Sequence, residues 1–310
     1  MLCKTKADNT VIIQWSSKDL IKMIAMRLLA YSKKSISEGD RIPIRFKQDY
    51  QYSDFYDENS DASDNARALI LELLPKECPS SLRVDDRSAA PLVFDIIAYC
   101  IRHTLKKPRE LILIFNYFLT AIIDQERGQN YFINNPSEIK NYIHATQEQV
   151  ISAALSMYES FYPKIQDACD IVLHGQMAVT WGKSFNNSLK NAEGMIQRNS
   201  YIRDENRMYG KDEIKRVLME SGLVGKMVSS SIRHLEDLDG DMKSVCYRAV
   251  KATFEYQVKG QLKLNWDTKC VIHPMCYEHF GCKVKCQTVV YPDRMDHEGI
   301  ISVRVKPQNS

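Results

Sequence analysis

The chain has 310 residues, 44% hydrophobic and 26% charged, and its 42 basic and 39 acidic side chains give a formal net charge of +3. That length suits about two domains with a sizeable core, and so balanced a charge excludes nucleic-acid binding driven by bulk electrostatics alone. No run approaches the ~18 apolar residues of a membrane helix, and the N-terminal segment lacks a signal peptide's hydrophobic stretch, so a cytoplasmic chain with no membrane contact is expected.

In chain order, Val11–Ile13 suggests a short strand, followed by a helix from Ser16. Ser16 is the expected N-cap with Asp19 three residues on, Trp15 and Leu20 occupy the two positions of a hydrophobic staple, and Leu20, Ile24 and Leu28 share one face. An acidic, polar loop spans 48–65. Its Asp57, Asn59, Asp61 and Ser63 imitate the start of a calcium loop, but Ala62 and Ala68 stand where an EF-hand needs Gly and Glu. Helices are expected over 64–74, ending at Pro75, and over 90–104.

A basic corner then opens into a long apolar helix. Pro108 suits a first helical position, and Leu111, Ile114, Phe115, Phe118, Leu119 and Ile122 form a broad apolar stripe. Arg109, a cation in the first turn, opposes the helix dipole, so either a carboxylate or an anion such as a nucleotide phosphate should balance it. Cys100 and His103 lie close on one helix, and with no third orienting group they read as packing residues. Another helix starts at Pro136 and runs toward Pro163.

The string GQMAVTWGKS, 175–184, resembles a phosphate-binding loop only superficially. Six residues separate its first glycine from Gly-Lys-Ser where four are required, and neither a preceding strand nor a following helix is evident. Beyond it, a short helix over Lys211–Glu220 ends at Ser221 and Gly222. VCYRAVKATFEYQV, a turn at Lys259 and Gly260, QLKLNW and CVIH read as strand, hairpin and return strand, the wing of a winged-helix-like domain. Lys243, Arg248, Lys251, Lys259 and Lys263 around this wing are candidates for phosphate-backbone contact. Pro274 is expected to open a terminal helix through Phe280.

Nine cysteines, scattered from Cys3 to Cys286, suggest reduced, buried thiols rather than a disulfide scaffold. Cys270, His273, Cys276, His279, Cys282 and Cys286 have the chemistry of zinc ligands, but they run continuously with no distant second pair, which favours buried thiols over zinc. The expected fold is mainly α, a helical bundle over 1–163, a helical connector over 164–208, a small α+β winged-helix-like domain over 209–291 and a tail over 292–310.

The stretch YCIRHTLKKPRELILIFN, 99–116, resembles a block in a family of bacterial multidomain P-loop ATPases related to the AAA and STAND groups, where an R-H-T segment precedes Pro-Arg and a helix ending in Asn. The segment Trp15 to Tyr31, FEY at 254–256 and VIHPM at 271–275 resemble further blocks of that family's C-terminal half. The resemblance implies a helical lid followed by a winged-helix-like domain, with a regulatory, partner-binding role and antiphage defence as a setting. Walker A and B motifs are absent, so it implies no hydrolysis by this chain alone. ATP with magnesium would be held by a separate P-loop core or partner protein, with Arg109, Arg102 and His103 approaching the nucleotide. The competing expectations are an Arg109 ion pair within the bundle and a winged-helix nucleic-acid-binding protein.

Overall fold

The computed structural model describes residues 15–39, 43–56, 58–79, 92–198, 209–235, 245–255, 262–265, 267–285, 288–292 and 304–305. The strand expected at Val11–Ile13, together with Lys243, Lys259 and Cys286, lies outside them. The first helix, α1 (Ser17–Glu38), begins as its sequence dictates: Ser16 Oγ accepts from the Asp19 N–H, and the Asp19 carboxylate accepts from the Ser16 N–H. Leu20, Ile24 and Leu28 are buried, and Gly39, in the left-handed region at φ 72°, ends the helix.

After a 3₁₀ turn at Tyr52–Phe55 come α2 (Ala62–Leu71), β1 (Glu77–Pro79) and β2 (Leu92–Asp95). The helix expected over 90–104 is thus a strand followed by the short helix α3 (Ile96–Arg102). Asp95 makes the switch. Its Oδ1 accepts from the N–H groups of Ile97 and Ala98, and its carboxylate also pairs with Arg67.

The corner leading into α4 (Pro108–Ile122) is wired by its own side chains. Thr104 Oγ1 accepts from the Lys106 N–H at 3.2 Å, and Glu110 folds back so that Oε2 accepts from the Leu105 N–H at 2.6 Å. Burial pushes the Glu110 carboxyl upward, opposed by Lys107. The expected stripe is realised: Leu111, Ile114, Phe115, Phe118 and Ile122 are buried and Leu119 packs partly against them.

The short α5 (Tyr131–Asn134) precedes α6 (Ile139–Glu159), then α7 (Ile165–Leu173), β3 (Val179–Trp181), α8 (Gly182–Arg198) and α9 (Lys211–Glu220). The remaining strands are β4 (Val224–Leu235), β5 (Val245–Thr253), β6 (Lys269–Ile272), β7 (Thr288–Pro292) and β8 (Arg304–Val305). They form a three-stranded sheet, β1-β2-β8, and a five-stranded mixed sheet, β3-β6-β4-β5-β7, in which β5 and β7 are parallel. The chain is therefore α+β. Among the described residues no helix is long and apolar enough to cross a membrane.

Two differences from the expected organisation have clear physical causes. A helix followed by a hairpin is present, but the partner of β5 is the preceding β4, paired from Lys226↔Thr253 to Leu235↔Val245. Residues 262–265 form no strand, and the return strand β6 pairs instead with β3 and β4. The hairpin is thus built into a wider sheet, one of whose other members, β3, comes from the region expected to be a connector. Likewise, Pro274 starts only a 3₁₀ turn, Pro274–Cys276, whose N-cap is the His273 side chain.

Hydrophobic burial divides into two cores that share elements. The first joins α1–α4 with Ile139 and Ile143 of α6. The second joins Val150, Ile151 and Leu155 of the same helix with α7, α8, α9 and the sheet. The boundary expected at 163/164 falls inside this second core, between Leu155 on one side and Ile165, Cys169 and Val172 on the other. Strand alternation makes the sheet a wall common to both: Tyr247, Ala249, Val289 and Tyr291 enter the first core, while Val250, Ala252 and Val290 enter the second.

Candidate functional site

The register of the five-stranded sheet assigns its side chains to faces. Directly paired residues share a face, so Trp181 lies beside Lys269, Met227 beside Ala252, Ser230 beside Val250, and Arg248 beside Thr288. Where this face runs beyond the second core it becomes one wall of a cleft of about 240 Å³. The opposite wall is the crossing of two loop segments, Met177–Ala178 and Val284–Lys285, held together by hydrogen bonds from Ala178 N–H to Lys283 O (2.8 Å) and Lys283 N–H to Gln176 O (2.7 Å).

The cleft is basic. Arg248, Lys269 and Lys285 line it, no carboxylate among the described residues does, and Thr180, Ser230 and Thr288 are also in the lining. Lys269 Nζ sits over the Trp181 ring, 4.7 Å from its centroid, a cation–π contact across paired strands. Trp181 nevertheless keeps 56% of its surface exposed. The N-terminus of α8 follows Trp181 directly and adds its positive helix-dipole end to the neighbourhood.

Of the described wing cations expected to meet phosphate, Arg248 alone lines this cleft. Lys251 is an odd number of residues further along β5 and shares a face with Ser229 and the first-core side of the sheet. Lys263 is exposed in the 262–265 segment, away from the cleft lining. Lys269 and Lys285 were not among the sequence candidates. The alternation of LysCysVal in β6 marks Lys269 as facing the same way as Val271, but its partner Trp181 is about ninety positions earlier, beyond any local pattern.

The chance GKS motif is also clarified. A strand and a helix do flank Gly182-Lys183-Ser184, contrary to the expectation, but β3 occupies the interval where a phosphate loop would have to curl. The Gly182 N–H already donates to Thr268 O at 2.7 Å.

Arg102 and His103 lie in the interior. Arg102 is 2% exposed, Nε donates to Val290 O at 2.8 Å, and the guanidinium stands 5.0 Å from the Phe94 ring centroid. No carboxylate pairs with it among the described residues, and burial lowers its pKa. His103 Nδ1 is 2.7 Å from Tyr99 O, and burial followed by the charge of Arg102 pulls its pKa well below 6.5. Around them Tyr277 faces the Arg102 guanidinium, and His144 Nε2 and both amide atoms of Gln147 have no hydrogen-bond partner among the described residues. Arg102 and His103, expected to approach a nucleotide, are thus interior side chains. Arg109 differs: it is exposed in the first turn of α4, where its charge acts on the neighbouring Glu110 carboxyl without a close ion pair among the described residues.

The described members of the Cys/His series do not form a ligand set. Cys270 and Cys276 are buried, His273 Nδ1 accepts from the Met275 N–H at 3.3 Å, and exposed His279 rests against Phe280. Burial lifts the Cys270 thiol to about 11 and the Cys282 thiol to about 12. No three His, Cys, Asp or Glu side chains among the described residues converge as metal ligands.

No protein-family model, curated protein or solved structure matches the chain. Function must be read from the cleft itself.

Proposed function

We propose that this protein binds nucleic acid, holding a phosphate backbone in the cleft of the five-stranded sheet. One observation carries the reading: Arg248, Lys269 and Lys285 converge on a single concavity that, among the described residues, no carboxylate lines. Three cations drawn together without a counter-charge repel one another, and a polyanion relieves that repulsion while releasing its own counterions. The net charge of +3 does not oppose this, because binding depends on the local field rather than on the total. The order α9, β4, β5 supports a helix-and-wing arrangement, with the wing set into the sheet.

The test is binding of a labelled oligonucleotide over a range of salt concentrations. With three phosphate contacts on a single strand, log Kobs should fall against log salt with a slope of about −2. Replacing Arg248→Glu and Lys285→Glu together should weaken binding by more than roughly tenfold and flatten that slope. The control Lys263→Glu, away from the cleft, should change neither. Equal binding by all three proteins would refute the cleft as the site.

The exposure of Arg109 in the first turn of α4 favours a second reading, that the chain regulates a separate P-loop ATPase core and contacts its nucleotide through this side chain. Hydrolysis by such a complex should fall with Arg109→Ala and persist with Arg109→Lys. An unchanged rate with Arg109→Ala would remove the residue from that role.

A further inference from the structure

The cleft carries more information than its charge. Trp181 stands at its edge in a three-residue strand, over half exposed, although indole is among the side chains that gain most from burial. Lys269 lies over the ring and so fixes it beside the cations rather than letting it fold into the second core. An open aromatic face beside a basic groove is the arrangement that holds unpaired bases, because every base has a π-face to stack and every nucleotide a phosphate to neutralise. A duplex offers no free base face to such a ring. Its phosphates also lie on a convex surface, whereas Arg248, Lys269 and Lys285 line a recess of about 240 Å³, the scale of one or two nucleotides rather than of a double helix.

Resting on the nucleic-acid reading above, we infer that the cleft takes a single strand, with one base stacked on Trp181 and the adjoining phosphates held by Arg248, Lys269 and Lys285. Ser230, also in the lining and on the same face, gives the site a hydroxyl able to meet sugar or phosphate oxygens. An acidic polypeptide would satisfy the cations but would leave the indole without a role.

Fluorescence anisotropy on the full chain separates these occupants, using labelled (dT)15, (U)15, a 15-base-pair duplex and poly-glutamate at one low salt concentration. The single strands should bind at least roughly tenfold more tightly than the duplex or poly-glutamate. Trp181→Ala should weaken single-strand binding by about 5- to 150-fold, Trp181→Phe should retain most of it, and duplex affinity should be the same for both variants. The exposure of Trp181 makes these substitutions compatible with folding, and thermal melting checks that they are. The ratio of (U)15 to (dT)15 affinity tells RNA from DNA. Duplex binding equal to or tighter than single-strand binding, equal capture of poly-glutamate, or indifference to Trp181→Ala overturns the inference while leaving an anion-binding cleft. Failure of every polyanion to bind overturns the functional reading beneath it as well.

Discussion

His103, His144 and His273 lie near Arg102 at the joint between the two cores, with Tyr277, Glu278 and Lys140 the other ionisable groups acting there. Burial holds all three imidazoles neutral and pulls their pKa values down, that of His273 to about 3. The unfolded chain therefore takes up protons first as pH falls through about 6.5, and the stability present above that value declines below it. Each fully shifted histidine contributes a slope of about 1.4 kcal/mol per pH unit. Urea midpoints should drop steadily from pH 6.5 to pH 5, and His273→Asn, whose amide oxygen can accept the Met275 N–H as Nδ1 does, should reduce the slope. A midpoint independent of pH in that window would mean that these histidines are solvated in the folded chain. In the sequence these residues are separate: YCIRHT shows Arg102 and His103 as a polar pair on a helix, but nothing local reveals that Val290 O waits to accept from Arg102.

At the level of elements, legibility follows how local the determining interaction is. Capping box, proline start and apolar stripe all act within one turn or one face, and α1 and α4 follow from them. The switch from β2 to α3 is hard to read because, Asp95 apart, residues 92–101 are apolar and fit either period. Asp95 was the available signal, a capping residue ahead of IIAYC. It stabilises both sides of the switch, accepting from Ile97 and Ala98 and pairing with Arg67, so Asp95→Ala should cost about 2–3 kcal/mol by chemical denaturation. A loss under about 0.5 kcal/mol, the range of an uninvolved surface site, would deny it that role. β4 was missed for another reason: Val228 to Arg233 are exposed on both faces, so MVSSSIR carries no alternation. Its identity lies in pairing with β5, and in Gly225, where a Cβ would stand 2.5 Å from Thr253 O.

Considered whole, the molecule is two cores with common members. α6 contributes its first half to one and its second half to the other, and β5 and β7 present alternate side chains to each. Loss of either core strips support from the other, so urea unfolding followed by circular dichroism and by tryptophan fluorescence should give coincident transitions. Two separated transitions would establish independent domains. The cleft belongs to this level too, since its cations come from β5, β6 and the segment before β7, and only the closed sheet gathers them. The parallel strand β7 has a consequence for how the protein is made. Val289 and Tyr291 complete the first core and Val290 the second, yet these residues follow α1 to α9 in the sequence. During synthesis α1 to α9 leave the ribosome long before their shared wall exists. Their apolar faces must wait, uncovered or chaperoned, until five late residues dock beside β5 and close both interiors together.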